Sequence, residues 1–155
     1  MAVMNAKDAI FAALAECYVT IDDERYNFMQ AINLHAQVKK TKVQVPILGK
    51  TGKGNKTTGW SGTGTATWHY NTSIFRKLLY QYAQTGEDIY FDIQVTNDDP
   101  TANVGSQTVI LKDCNLDGGT LARFDADGTY LEEEASFTFE DFEIPVEFDD
   151  LDGML

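Results

Sequence analysis

No aspartate or glutamate occurs between Arg25 and Gly86. That stretch instead holds nine bases: Arg25, Lys39, Lys40, Lys42, Lys50, Lys53, Lys56, Arg76 and Lys77. Residues 87–155 are the reverse, with nineteen acids against Lys112 and Arg123, and the first 24 residues add five acids against Lys7. Net charge therefore runs −4, +9 and −17 along the chain, summing to −12. So acidic a chain is a poor general binder of nucleic acid, because phosphate binding draws its free energy from cations that release counterions. Segregated charge can draw copies of one chain together head to tail, or it can be neutralised within one fold.

Other things are scarce as well. Cys17 and Cys114 are the two cysteines, far apart and in apolar or strand-like surroundings, which suits reduced structural thiols better than a disulfide framework. His35 and His69 are the two histidines, each in an alternating strand pattern and without Cys, His or Asp at metal-ligand spacing. No apolar run approaches the length of a membrane span, and the first residues lack a basic start, a continuous apolar stretch and a cleavage site. The expectation is synthesis in the cytoplasm with no stable membrane association. At 155 residues, 43% of them hydrophobic, the chain fits one domain with a proper core.

Alternation predicts strands at residues 16–21 and 25–28, joined by a turn at Asp22-Asp23, and a longer one over 32–48, where Ile32, Leu34, Ala36 and Val38 alternate with Asn33, His35, Gln37 and Lys39. Residues 5–15 read as a short helix capped by Asn5 or as a terminal arm. Residues 49–59 contain four glycines, three lysines and no apolar side chain. They cannot supply core and are costly to order, which predicts a mobile loop or an arm that docks elsewhere. Alternation resumes over residues 60–70. One helix is expected over residues 73–85: Ile74, Phe75, Leu78, Leu79 and Tyr82 form an apolar stripe, with a hydroxyl cap at Thr72 or Ser73 and Gly86 as a stop. Further strands are predicted at residues 89–96, 108–113, 120–125 and 131–142, separated by Asn, Asp, Gly and Pro turns. The last presents Glu134 and Glu140 on one side and Phe137 and Phe139 on the other, and the acidic residues after it are expected to fray.

No constellation for chemistry emerges. A phosphate-binding loop needs Gly-Lys-Ser/Thr, whereas Gly54 is followed by Asn55, with Lys56 one place late and a strand where the helix belongs. Asp125-Ala-Asp-Gly128 lacks a third oxygen ligand before the glycine and a framing helix, both of which a calcium loop needs, and reads as a turn. No serine has a nucleophile-elbow context, and the carboxylates fall in runs that suit solvated faces. The expectation is no catalytic site, no metal and no cofactor.

Several ordered blocks carry a resemblance. Pro46-Ile-Leu-Gly-Lys50, Lys53-Gly-Asn-Lys56, Gly59-Trp60, Gly62-Thr-Gly64, His69-Tyr70 and Thr72-Ser-Ile-Phe-Arg-Lys-Leu78 are followed by Gly86-Glu87, Tyr90-Phe-Asp92, Gln107-Thr-Val109, Leu111-Lys-Asp-Cys114, Phe124-Asp-Ala-Asp127 and Phe137-Thr-Phe-Glu-Asp-Phe142. In this order they resemble the tail tube proteins of contractile phage tails, of the type found in PBSX-like defective prophages and phage-tail-like bacteriocins. The resemblance covers most of the chain. It implies a mainly β (α+β) fold, a β-barrel or sandwich with one flanking helix, forming hexameric rings that stack into a hollow tube. The implied partners are further copies of the chain, a sheath, a tape-measure protein, baseplate and tail terminator proteins, and DNA in transit without specific binding. The implied location is the tail of a virion or a bacteriocin particle.

Two groups of residues are candidates for such assembly. Lys50, Lys53, Gly54, Lys56 and Trp60 mark an arm reaching a neighbouring subunit. Glu132, Glu134 and Glu140 are candidates for the lumen lining, since cations there would brake passing DNA. The competing reading is a monomeric β-sandwich that binds carbohydrate on a platform of Trp60, Trp68 and Tyr70.

Overall fold

The structure, a computed structural model, describes residues 1–155. After a single 3-10 turn at Ala6–Asp8 come β1 (Ala15–Ile21), β2 (Glu24–Asn27), β3 (Ala31–Val45), β4 (Gly54–His69), α1 (Ile74–Thr85), β5 (Phe91–Asp98), β6 (Ser106–Leu116), β7 (Glu132–Phe139) and β8 (Asp141–Val146). Every strand pair is antiparallel, in the order β2-β1-β5-β6-β7-β4-β3, and β8 pairs with β6 as well. β6 is the corner. Its Thr108–Lys112 stretch pairs with β8, and Asn115 and Leu116 pair with β7. At the corner Asp113 takes φ +53° and its N–H donates to the Asp92 carboxylate at 3.2 Å.

The β1–β2 hairpin turns through Asp22 and Asp23 at φ +49° and +66°. Aspartate tolerates this left-handed region, and two such residues match the twist of the flanking strands. Between the sheets lie Val19, Ile93, Leu111, Cys114, Trp68 and Phe137, all buried. α1 closes the core with Phe75, whose ring lies 5.1–5.5 Å from Trp68, Phe91 and Phe28. Gly62 and Gly64 on β4 leave the space that the rings of Phe139 and Phe137, paired opposite them on β7, fill. A Cβ at either glycine would overlap the ring.

Several sequence expectations are corrected. The helix ends as expected, with Gly86 at φ +74° and its N–H donating to the Tyr82 carbonyl at 2.8 Å. Its start differs, because Ser73 makes no side-chain cap and the Thr72 hydroxyl accepts from the Ile74 N–H at 3.5 Å. Residues 120–125 form no strand: no free edge meets them, and they run through an irregular loop in which Phe124 is 92% exposed. The strand expected over 131–142 is two, because the chain bends at Glu140 and crosses from β4 to β6. The tail expected to fray is held further than foreseen, with residues 143–146 in β8 and the Asp149 N–H donating to the Val104 carbonyl at 2.7 Å.

The largest correction concerns residues 49–59. β4 begins at Gly54, so most of the expected loop is strand, and only residues 46–53 remain as the turn of a long hairpin. β3 and β4 pair from Ala31↔Trp68 out to Val45↔Gly54, whereas β7 accompanies β4 only from His69 to Gly62. Beyond Gly62 the hairpin is a two-stranded ribbon without a third strand. Backbone ladder bonds and β-branched Val43, Val45, Thr57 and Thr58 suffice to keep it extended without core.

Candidate functional site

From residue 37 to residue 61 every side chain is exposed, save for the half-buried Gly54. This ribbon carries Lys39, Lys40, Lys42, Lys50, Lys53 and Lys56 and no carboxylate. A register shift between Thr41 and Lys42 places a bulge at Thr58, whose hydroxyl donates to the Thr41 carbonyl at 3.3 Å. Such a bulge increases twist and bends the ribbon. At its tip, Gly49 turns at φ +86° and presents Leu48 fully to solvent, beside the 42% exposed Ile47.

The alternation of β3, β4 and β7 builds two unlike faces. On the core side are Leu34, Ala66, Trp68, Ala135, Phe137 and Phe139. On the open side, register aligns Asn33, Thr67 and Glu134 in one row, His35, Thr65 and Ser136 in the next, and Gln37, Thr63 and Thr138 in a third. These three rows hold hydroxyls and amides with few charges and no Lys or Arg; further out along β3 the same side carries Lys39, paired with Ser61.

A third surface runs along β8, where Phe142, Ile144 and Val146 are 37–45% exposed and alternate with Glu143, Pro145 and Glu147. Trp60, at the base of the ribbon, lies edge-on to Phe142 at 5.6 Å and 6.4 Å from Phe139. β8 pairs with β6 alone, so its outer edge is unpaired, as is that of β3. Pro145 lacks an N–H and suits such an edge. A fourth is a cleft of about 320 Å³ between α1 and the sheet, lined by Leu78, Leu79, Tyr82, Ile89 and Leu116 together with Asp88 and Asp117.

The arm candidates fall at different heights on one element: Lys50 and Lys53 at the tip, Gly54 and Lys56 in β4, and Trp60 at the base. The three glutamates do not form one row. Glu134 stands on the open face, Glu132 lies half-buried opposite His69, and Glu140 occupies the bend after β7. The sequence reading missed Glu133. It shares the inward parity of Ala135 and Phe137, is 4% exposed, and forms a 2.7 Å ion pair with Arg76 of α1. Arg76 also donates to the carbonyls of Thr72 and Thr120 and lies over the Tyr70 ring at 4.5 Å. The signal was available: an acid at a core-facing position demands a cation, and Arg76 sits among the apolar positions of the helix.

These placements remove the carbohydrate platform. Trp68 is 2% exposed within the core, Tyr70 lies beneath Arg76, and Trp60 packs on Phe139 and Phe142. The three rings share no accessible surface.

Residues 2–145 match the family model described as phage tail tube protein. The chain belongs to the phage tail tube protein family. It is 44% identical over 115 residues to the phage-like element PBSX protein XkdM of Bacillus subtilis, covering 74% of this chain and 78% of that protein. A solved structure of a Bacillus subtilis protein is 37% identical, with a TM-score of 0.54 over 88% of this chain and 99% of that one. The tail tube fold extends to remote relatives. The SPP1 tail tube shares 11% identity at a TM-score of 0.64, over 91% of this chain and 81% of that one. A chain of the PVC sheath-tube complex of an extracellular contractile injection system shares 12% at 0.65, over 90% and 93%. The mainly β fold with one flanking helix is thus the tail tube fold, and the family is a structural one.

Proposed function

We propose that this chain is the subunit of the inner tube of a contractile tail or tail-like particle, six copies closing a ring and rings stacking into a hollow conduit. The observation that carries this reading is the unfinished surface of the single copy. Only 19 of 155 residues are buried, while the ribbon, the β8 strip and the outer edges of β2, β3 and β8 stand open. Unpaired edges and apolar strips on a monomer invite pairing with another chain. The β3 and β8 edges also carry opposite charge: Lys39, Lys40 and Lys42 lie on β3, and Asp141 and Glu143 on β8. Their pairing between copies is heterologous, and a heterologous contact closes a ring when its rotation allows.

Within such a ring the open face of β3, β4 and β7 turns to the bore. Glu134, with the threonine rows around it, then lines the passage, while Glu132 and Glu140 lie toward its margins. The three rows from Asn33 to Gln37 hold no Lys or Arg and offer passing DNA no counterion-releasing contact, while Lys39 lies outward of them on the ribbon. Related folds occur in sheath-tube, baseplate and tube-terminating cap assemblies of contractile injection systems, which supports a sheath, baseplate and terminator as partners here. A tape-measure protein occupying the bore during assembly, and synthesis in the host cytoplasm, complete the reading.

Negative-stain microscopy and sedimentation of the purified protein test it. Rings or tubes of uniform bore are expected. A monodisperse monomer at high concentration and low salt would sink the proposal.

A further inference from the structure

We infer that Leu48, at the tip of the ribbon of one copy, seats in the cleft between α1 and the sheet of a second copy. The inference rests on the stacking proposed above and names the contact that joins one copy to the next. Three observations carry it. Leu48 is an apolar side chain fully exposed at a turn, on an element that leaves its own fold behind at Gly62. Seven residues of strand from Lys39 to Val45 reach about 23 Å at roughly 3.3 Å each, before the turn that carries Leu48. The cleft has apolar walls of Leu78, Leu79, Ile89 and Leu116, and Tyr82, at its mouth, is 55% exposed despite lying on the apolar stripe of the helix.

Charge selects the same partner. Lys50 and Lys53 follow Leu48 in the same turn, and Asp88 and Asp117 line the cleft. An apolar contact ringed by opposite charges fixes both seating and orientation. The rival concavity, about 480 Å³ between the two chain termini, also holds carboxylates, but its lining mixes Asn5, Asn103 and three aspartates with the apolar groups and is built from irregular segments. The helix cleft is bounded by packed elements.

Crosslinking tests this directly. Burial pushes the thiol of Cys17 up to about 11 and that of Cys114 up to about 12, so at pH 8 neither competes with an introduced surface thiol. The variant carrying Leu48→Cys with Leu79→Cys, assembled and then oxidised, should give a ladder of covalent multimers on a non-reducing gel, and either single variant should give none. Intact tubes without a ladder overturn the inference, as does a ladder from Leu48→Cys with Leu151→Cys in its place. Both results leave the stacking reading standing. If the double-cysteine variant forms no tube, a charge exchange decides. Lys50→Glu with Lys53→Glu should raise the concentration needed for assembly about tenfold, and adding Asp88→Lys with Asp117→Lys should restore it. Failure to restore overturns the inference, and if the unmodified protein never assembles, the stacking reading falls and the inference with it.

Discussion

Glu133 and Arg76 show how much one side chain can hold. Their pair joins β7 to α1, and the guanidinium reaches the loop at Thr120 as well. Removing one partner strands the other charge in the interior, so Glu133→Ala should cost about 3–5 kcal/mol, read as a lowered urea midpoint. Replacing Lys112 or Glu143, an exposed pair at 2.7 Å, should change the midpoint little. The cysteines set a second expectation. Both thiol pKa values are raised by burial from 9.0, to about 11 and about 12. An unfolded chain loses these protons first, so the stabilising effect is complete below pH 9 and declines as pH rises toward 11 and 12. Stability measured by denaturant at pH 8 and pH 10.5 should fall accordingly, and Cys17→Ser with Cys114→Ala should flatten that dependence even if it lowers stability overall. Alternation made Phe137 and Phe139 legible as core in advance. It gave Glu133 the same parity, yet a run of three acids reads as solvated until the fold supplies Arg76.

Among the elements, the helix, the β1–β2 hairpin and most strands were legible because their signals are local: an apolar stripe with Gly86 behind it, and Asp-Asp between alternating runs. The ribbon was not. Glycine and lysine announce a loop when no core is in view, but strand pairing depends on a partner far along the chain, and residues 54–59 find theirs in β3. The same blindness to distant partners explains the missed bend at Glu140 and the missing strand at residues 120–125. Ribbon independence from the core can be tested. Val45 and Gly54 are directly paired, so replacing residues 46–53 by Asn-Gly closes the hairpin with a two-residue turn. Thermal unfolding should be nearly unchanged, because the removed residues are exposed, while microscopy should show no tubes. Loss of the fold would mean that the tip stabilises the subunit itself.

For the whole molecule, electrostatics should govern the rate of assembly more than its final strength. Association of copies should slow as salt rises from 0.1 M toward 1 M, where the screening length shrinks from about 10 Å to about 3 Å. Light scattering in the first minutes would measure this, and rates independent of salt would leave the apolar β8 strip as the main driver. The overall architecture and family were visible in the order of the sequence blocks. Which strand row faces which way was not, since that depends on register and on how copies meet. The opposite charges of the β3 and β8 edges carry one more consequence. A two-fold dimer joining like edges would set lysine against lysine or carboxylate against carboxylate, so the commonest small homo-oligomer is disfavoured. Free subunits then have no stable dead end in which to accumulate. Growth should wait for a nucleus, giving a lag that a few preformed rings abolish.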